Sequence, residues 1–254
     1  MIQYRSSGGR ATITMDEPER RNPMSTAVMQ GLLEASRRAA DDDDVRVIVY
    51  TGAGEAFSAG GDLSAGFVDD ALGRHQERGA LADLFRLMDR CGKPTVARVN
   101  GHALAGGFGL AVACDITICV EDAKLGTTEV RVGLWPMMIS AILARTVPRK
   151  AALDLMLTGR VIDAHEAQRI GAVSRVVKAD ELDPAVDEVV QALLAASPTS
   201  FLIGKDSFSG ISDLSFDAAL DRLQGGLTEV ALTSDAAEGI AAFIEKRDPD
   251  WTDT

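Results

Sequence analysis

Positive charge, cysteine, histidine and long apolar runs are all scarce in this chain of 254 residues, and each scarcity removes a class of function. Lysine and arginine number 26 against 38 aspartates and glutamates, a net charge of −12, so neither nucleic acid nor an anionic membrane surface is an expected partner. The three cysteines, Cys91, Cys114 and Cys119, are odd in number and lack CxxC spacing, and the last two lie in apolar surroundings. Buried free thiols are expected, not a disulfide framework. None of the three histidines, His75, His102 and His165, has a metal-ligand neighbour at helical or finger spacing, so no metal site is expected. No apolar run is long enough to cross a bilayer and no basic segment followed by an apolar one begins the chain, which makes a cytoplasmic protein the expectation.

Glycine, by contrast, is concentrated where it is costly. Gly106, Gly107 and Gly109 fall in what reads as the first turn of a helix, although a helical glycine is less favourable than alanine by roughly 1 kcal/mol. Two reasons compete. Glycine permits tight packing on a neighbour, and it also lets an anionic atom approach the first N–H groups of a helix, which lack internal partners at the positive end of the dipole. A second glycine-rich turn, residues 57–63 with Gly60 and Gly61, follows an apolar strand some forty residues earlier and favours the second reason. Two such turns can place two N–H donors around one developing oxyanion.

The length suits one large domain or a core with a small appendage. Residues 2–5 and 11–15 read as a hairpin, and Ser25 as the N-cap of a helix from about 26 to 40, ended by the solvated acidic run Asp41 to Asp44. Residues 45–51 read as a buried strand, 64–74 as a loop or loose helix, and 76–90 as an amphipathic helix with Leu81, Leu84, Phe85 and Met88 inward. Residues 95–99 are a strand running into the glycine-rich helix, and 116–120 begin a third round of strand, glycine turn and helix. Helices are expected over 139–145, over 149–157 closed by Gly159, and over 164–170 between Asp163 and Gly171, then a strand at 172–177. Four helices, about 184–196, 199–209, 213–230 and 235–247, carry alanine- and leucine-rich faces that need the core or another subunit to cover them. The expected division is a core of residues 1–195 and a helical C-terminal region of residues 196–254.

Residues 93–110, 57–63 and 125–133, with 157–160 and Ala164, Ala167 and Gly171 as a fourth motif, resemble the crotonase superfamily, the enoyl-CoA hydratases and isomerases. The resemblance covers essentially the whole chain. It implies an α/β fold, a spiral of β-β-α turns with a helical C-terminal trimerisation region, assembled as a homotrimer or homohexamer. It also implies an acyl-CoA thioester substrate, with coenzyme A entering as part of the substrate and no separate cofactor. By resemblance the oxyanion N–H groups are those of Gly61 and Gly106, and the loop Gly61, Asp62, Leu63 and Ser64 contacts the CoA moiety.

Hydratases of the family carry one glutamate on the glycine-rich helix and a second in the next round. The second is Glu129; the first position is Gly109, expected on the same helical face as Gly106 and looking into the pocket. Water addition ordinarily shares its proton transfers between two acids, whereas one suffices to move a double bond. Isomerisation by Glu129 alone is therefore the leading expectation. Its alternatives are hydration, a lyase or a hydrolase step using Glu129 with an unrecognised partner, and acyl-CoA binding without catalysis. Asp62 and the pair Asp69 and Asp70 are candidates for a substitute carboxylate. Trp135 to Met138 puts bulk where many hydratases have small residues, and Arg5, Arg20, Arg21 and Lys93 are candidate cations for the CoA phosphates. His102, beside the glycine-rich turn, reads as a hydrogen-bonded structural residue.

Overall fold

The computed structural model describes residues 1–63 and 75–252. β1 (Ile2–Ser7) and β2 (Arg10–Met15) form the expected hairpin, and β3 (Pro23–Met24) precedes α1 (Thr26–Asp41), whose first turn is capped by the Ser25 hydroxyl accepting from the Val28 N–H at 3.2 Å. β4 (Val47–Gly52), β5 (Ala56–Ser58), β6 (Gly60–Gly61) and α2 (His75–Arg90) follow, then β7 (Thr95–Val99), β8 (His102–Leu104) and α3 (Gly106–Ala113). The next round holds β9 (Ile116–Val120), β10 (Lys124–Gly126), α4 (Met137–Thr146) and α5 (Arg149–Thr158). β11 (Ile162–Asp163), α6 (Ala164–Arg169) and β12 (Arg175–Val177) lead to α7 (Leu182–Leu194), α8 (Pro198–Gly210), α9 (Phe216–Ala231) and α10 (Ser234–Glu245).

The strands sort into two main sheets, visited alternately. One has the order β1-β2-β4-β7-β9-β12, parallel except at the first hairpin, and the other has the order β11-β10-β8-β5, parallel except between β10 and β11. Each round therefore lays a long strand in the first sheet and a three-residue strand in the second before its helix, which is the β-β-α spiral that the resemblance implies. The short strands β5, β8 and β10 correct the sequence reading, which took these residues as loops and glycine turns. Residues 172–177 also shorten to a strand of three, 175–177.

Glycine makes the crossing between the sheets possible. A Cβ on Gly101, between β7 and β8, would clash with the carbonyl oxygen of Glu55, so the two segments meet backbone to backbone. The core fills the space around these crossings. All six residues of β4 are buried, as a strand with neighbours on both edges and covered faces requires, and α2 turns Leu81, Leu84, Phe85 and Met88 inward as its periodicity demands.

α3 is different, for six of its eight residues are buried and it touches strands β3, β5, β6, β7 and β8. A helix apolar on every side belongs in such a place.

Helices α8, α9 and α10 pack on one another and, through α8, on α2. They leave large apolar side chains uncovered, among them Phe208, Phe216, Leu227, Leu232 and Phe243, the last 85% exposed. Among the described residues no single helix is both long and apolar enough to cross a membrane.

Candidate active site

The two glycine-rich turns meet. β6 pairs with β3 so that Gly61 lies opposite Met24, and a Cβ added to Gly60 would fall 2.6 Å from the Cβ of Ala105 and 2.7 Å from the Leu104 carbonyl oxygen. Residues 60–61 thus rest on the start of α3. Ala105 itself has φ 48°, unusual for a residue with a Cβ, and its N–H donates to the Gly126 carbonyl at 2.8 Å. Such backbone costs on the order of 1–3 kcal/mol and persists where its surroundings impose it. Nothing in the sequence marks this residue.

The glycines separate by what surrounds them. At Gly107 a Cβ would strike Ser58, including its backbone carbonyl at 2.8 Å, and at Gly109 it would lie 2.6 Å from Cγ1 of Ile139, so packing alone accounts for both. At Gly106 the nearest atom is the Met24 sulfur at 2.9 Å, near the end of an unbranched, adaptable side chain. At Gly61 nothing among the described residues lies within 4 Å and the residue is exposed. Backbone or branched side-chain contacts thus account for Gly107 and Gly109, whereas at Gly61 and Gly106, the oxyanion pair implied by resemblance, no backbone atom of the described residues stands among the nearest neighbours. A Cβ on Gly109 would meet α4, and one on Gly106 would meet β3.

Glu129 arrives by the parallel pairing of β10 with β8, which sets Gly126 beside Leu104. Two residues beyond Leu104 α3 begins, and three beyond Gly126 stands Glu129, the first residue of a 3-10 turn (Glu129–Val132). Its backbone carbonyl is fixed by the N–H groups of Gly133 and Leu134. The carboxylate is only partly exposed, and its Oε2 is buried without a hydrogen-bond partner among the described residues. Burial raises its pKa above the ordinary glutamate value, against a smaller opposing pull from its own N–H. Thr127 Oγ1, two residues before, is likewise buried and unpartnered. A half-buried acid with an unused oxygen and a raised pKa is a candidate for proton transfer at a charged intermediate.

Other sequence candidates fall elsewhere. Asp62 Oδ2 accepts from Arg20 Nη2 at 2.8 Å, so a candidate acid and a candidate phosphate cation hold one another. Leu63 is 49% exposed, while Ser64, Asp69 and Asp70 lie outside the described residues. Lys93 is not placed for a phosphate: its Nζ donates to the carbonyls of Ala39 and Asp42, at 2.9 and 2.6 Å, where α1 ends. Trp135 is half-buried with its Nε1 donating to Ser140 Oγ at 3.1 Å, and Met137 is 73% exposed. His102 has the structural role expected, its Nδ1 accepting from the Lys124 N–H at 3.1 Å. The cysteines are free, Cys114 and Cys119 buried and Cys91 half-buried, and burial pushes the Cys119 thiol up to about 12. Among the described residues no three His, Cys, Asp or Glu side chains gather as a metal site.

With this fold and constellation in view, comparison with known proteins is unambiguous about family. Residues 5–254 match the family model described as enoyl-CoA hydratase/isomerase. The chain is 38% identical over 252 residues to a putative enoyl-CoA hydratase of Thermus thermophilus, covering 98% of this chain and 99% of that one. It is 34% identical to a carnitinyl-CoA dehydratase of Salmonella enteritidis, over 94% and 93% of the two chains. A crystal structure of an enoyl-CoA hydratase of Mycobacterium smegmatis superposes with a TM-score of 0.93 at 30% identity, covering 98% of each chain. The protein belongs to the enoyl-CoA hydratase/isomerase family, within the crotonase superfamily. It is an enzyme of that family acting on acyl-CoA.

Proposed function

We propose that the protein moves the double bond of a 3-enoyl-CoA into conjugation with the thioester, with Glu129 as the only acid and base. The Glu129 carboxylate takes a proton from C2. The electron pair left behind delocalises onto the thioester oxygen, which accepts hydrogen bonds from the N–H groups of Gly61 and Gly106, and through the C3–C4 double bond onto C4. The protonated Glu129 then returns its proton to C4 and the 2-enoyl thioester forms, with no net change in atoms. Each oxyanion donor contributes about 3–4 kcal/mol to such a transition state. The loop Gly61, Asp62, Leu63 and Ser64 lies along the CoA moiety in this reading, and the Arg20–Asp62 pair holds its first part in place.

The observation that carries the proposal is the half-buried carboxylate of Glu129, whose Oε2 has no hydrogen-bond partner among the described residues, following a strand paired beside the one that leads into α3, a helix whose first turn holds no acidic residue. The experiment offers the protein 2-enoyl-CoA and, separately, 3-enoyl-CoA, and follows the absorbance of the conjugated thioester. Growth from the second substrate is the expected result. Loss from the first, with silence from the second, overturns the proposal in favour of hydration. That second reading, water addition by Glu129 with a partner not recognised in the sequence, has the names of the relatives in its favour. Silence from both, with CoA thioester still bound, leaves acyl-CoA binding alone.

The assembly is part of the same proposal, as is a cytoplasmic location. The uncovered apolar faces of α8, α9 and α10 suit burial against further copies of the chain, in a homotrimer or homohexamer. Light scattering is expected to give three or six times the mass of the chain; a monomeric mass contradicts it.

A further inference from the structure

Position 109 is not merely without an acid; it is closed. A Cβ there would lie 2.6 Å from Cγ1, 3.2 Å from Cδ1 and 3.2 Å from Cγ2 of Ile139, which means both branches of that side chain face it. Turning χ1 of Ile139 exchanges one branch for the other, and a β-branched residue in a helix keeps essentially one rotamer. Ile139 is 4% exposed near the start of α4, and α4 packs along α3, so the side chain has nowhere to withdraw. At Gly106 the neighbour is instead the unbranched end of Met24, equally buried but with more rotatable bonds.

We propose that Ile139 is a specificity-determining residue of the site: it fills the volume into which any side chain at position 109 must grow, and so excludes a second acid from α3. An apolar wall leaves Glu129 to relocate a proton and withholds the partner that water addition needs to place hydroxyl on C3 and a proton on C2. This inference rests on the reading of Glu129 as the sole acid and base.

Two experiments separate that reading from the inference. The first is a double-mutant cycle on folding, which involves no substrate. Gly109→Ala is expected to lower the thermal unfolding midpoint by roughly 2–10 °C in the parent protein, and to cost far less in the Ile139→Ala background. An equal cost in both backgrounds overturns the inference. The second is function in the variant carrying Gly109→Glu and Ile139→Ala together. It is expected to hydrate 2-enoyl-CoA at least tenfold faster than the parent or either single variant. If the double variant folds, still converts 3-enoyl-CoA and adds water no faster, the inference is overturned. A parent protein that hydrates 2-enoyl-CoA and ignores 3-enoyl-CoA overturns the reading of Glu129 and the specificity role with it, while the cycle still reports on the packing.

Discussion

Replacing Glu129 by glutamine is expected to lower kcat for the isomerisation of 3-enoyl-CoA by about 10²–10⁴-fold, the usual contribution of a positioned general base. KM should change little, because the substitution keeps the shape of the side chain and leaves the two N–H donors untouched. A pH profile of the parent supplies the second half of the test. The carboxylate must be ionised to take the C2 proton, so kcat/KM falls as pH drops through its pKa, and burial places that limb above the ordinary glutamate value of about 4.3. Stability runs the other way. The raised pKa means that the folded state binds the proton more tightly than the unfolded chain, so Glu129 lowers stability as pH rises from the unfolded pKa through the folded one. Above both values the ionised carboxylate is a standing cost. Glu129→Gln should therefore raise the unfolding midpoint at neutral pH while removing activity, and the gain should vanish below the unfolded pKa. A variant that is active, or inactive because it is less stable, contradicts the role given to this residue.

Gly101→Ala is expected to have the largest effect on the fold, and to reach the site through it. The new Cβ would occupy the position of the Glu55 carbonyl oxygen, and Glu55 immediately precedes β5, which leads within a few residues to Gly61. A backbone atom cannot rotate aside as a side chain does. The strand must shift, at a cost of about 3 kcal/mol or more, which corresponds to roughly 6–12 °C in the unfolding midpoint. Moving a donor by about 1 Å costs about 10²-fold in rate, so kcat/KM at a temperature where the variant is still folded should fall by at least that factor. Gly61→Ala is the control. A Cβ there meets nothing within 4 Å among the described residues, so its unfolding midpoint should match the parent's within about 2 °C. If Gly101→Ala melts like the parent, the close crossing of the two segments is wrong.

Much of this architecture can be read from residues that act locally. Ser25 and Asp163 cap α1 and α6 as their positions predict, each side chain accepting from a backbone N–H three residues on, and Gly159 ends α5 in the left-handed region. β4 and α2 show their burial in the spacing of their apolar residues. The short strands of the second sheet escape such reading, since three residues make too little of a period-two pattern and their pairing joins segments far apart in the chain. The same distance hides what decides the site. Ile139 lies thirty residues from Gly109, and Asp62 lies forty-two from Arg20. Lys93 looks like any surface cation until its ammonium is found on the carbonyls at the end of α1. Ala105 carries a positive φ that no alanine announces. The glycine-rich turns were visible at once, but only their neighbours show which glycines serve packing.

The proton itself offers the most direct test of a single acid. A 3-enoyl-CoA carrying deuterium at C2 is converted in ordinary water for one turnover, and the 2-enoyl product is analysed at C4 by mass spectrometry and NMR. Because Oε2 of Glu129 is buried with no hydrogen-bond partner among the described residues, exchange of the captured deuteron with water is slowed. The account predicts deuterium at C4 in a measurable share of the product, carried there by Glu129. Product with C4 filled wholly from water shows that a second donor completes the reaction, and contradicts it.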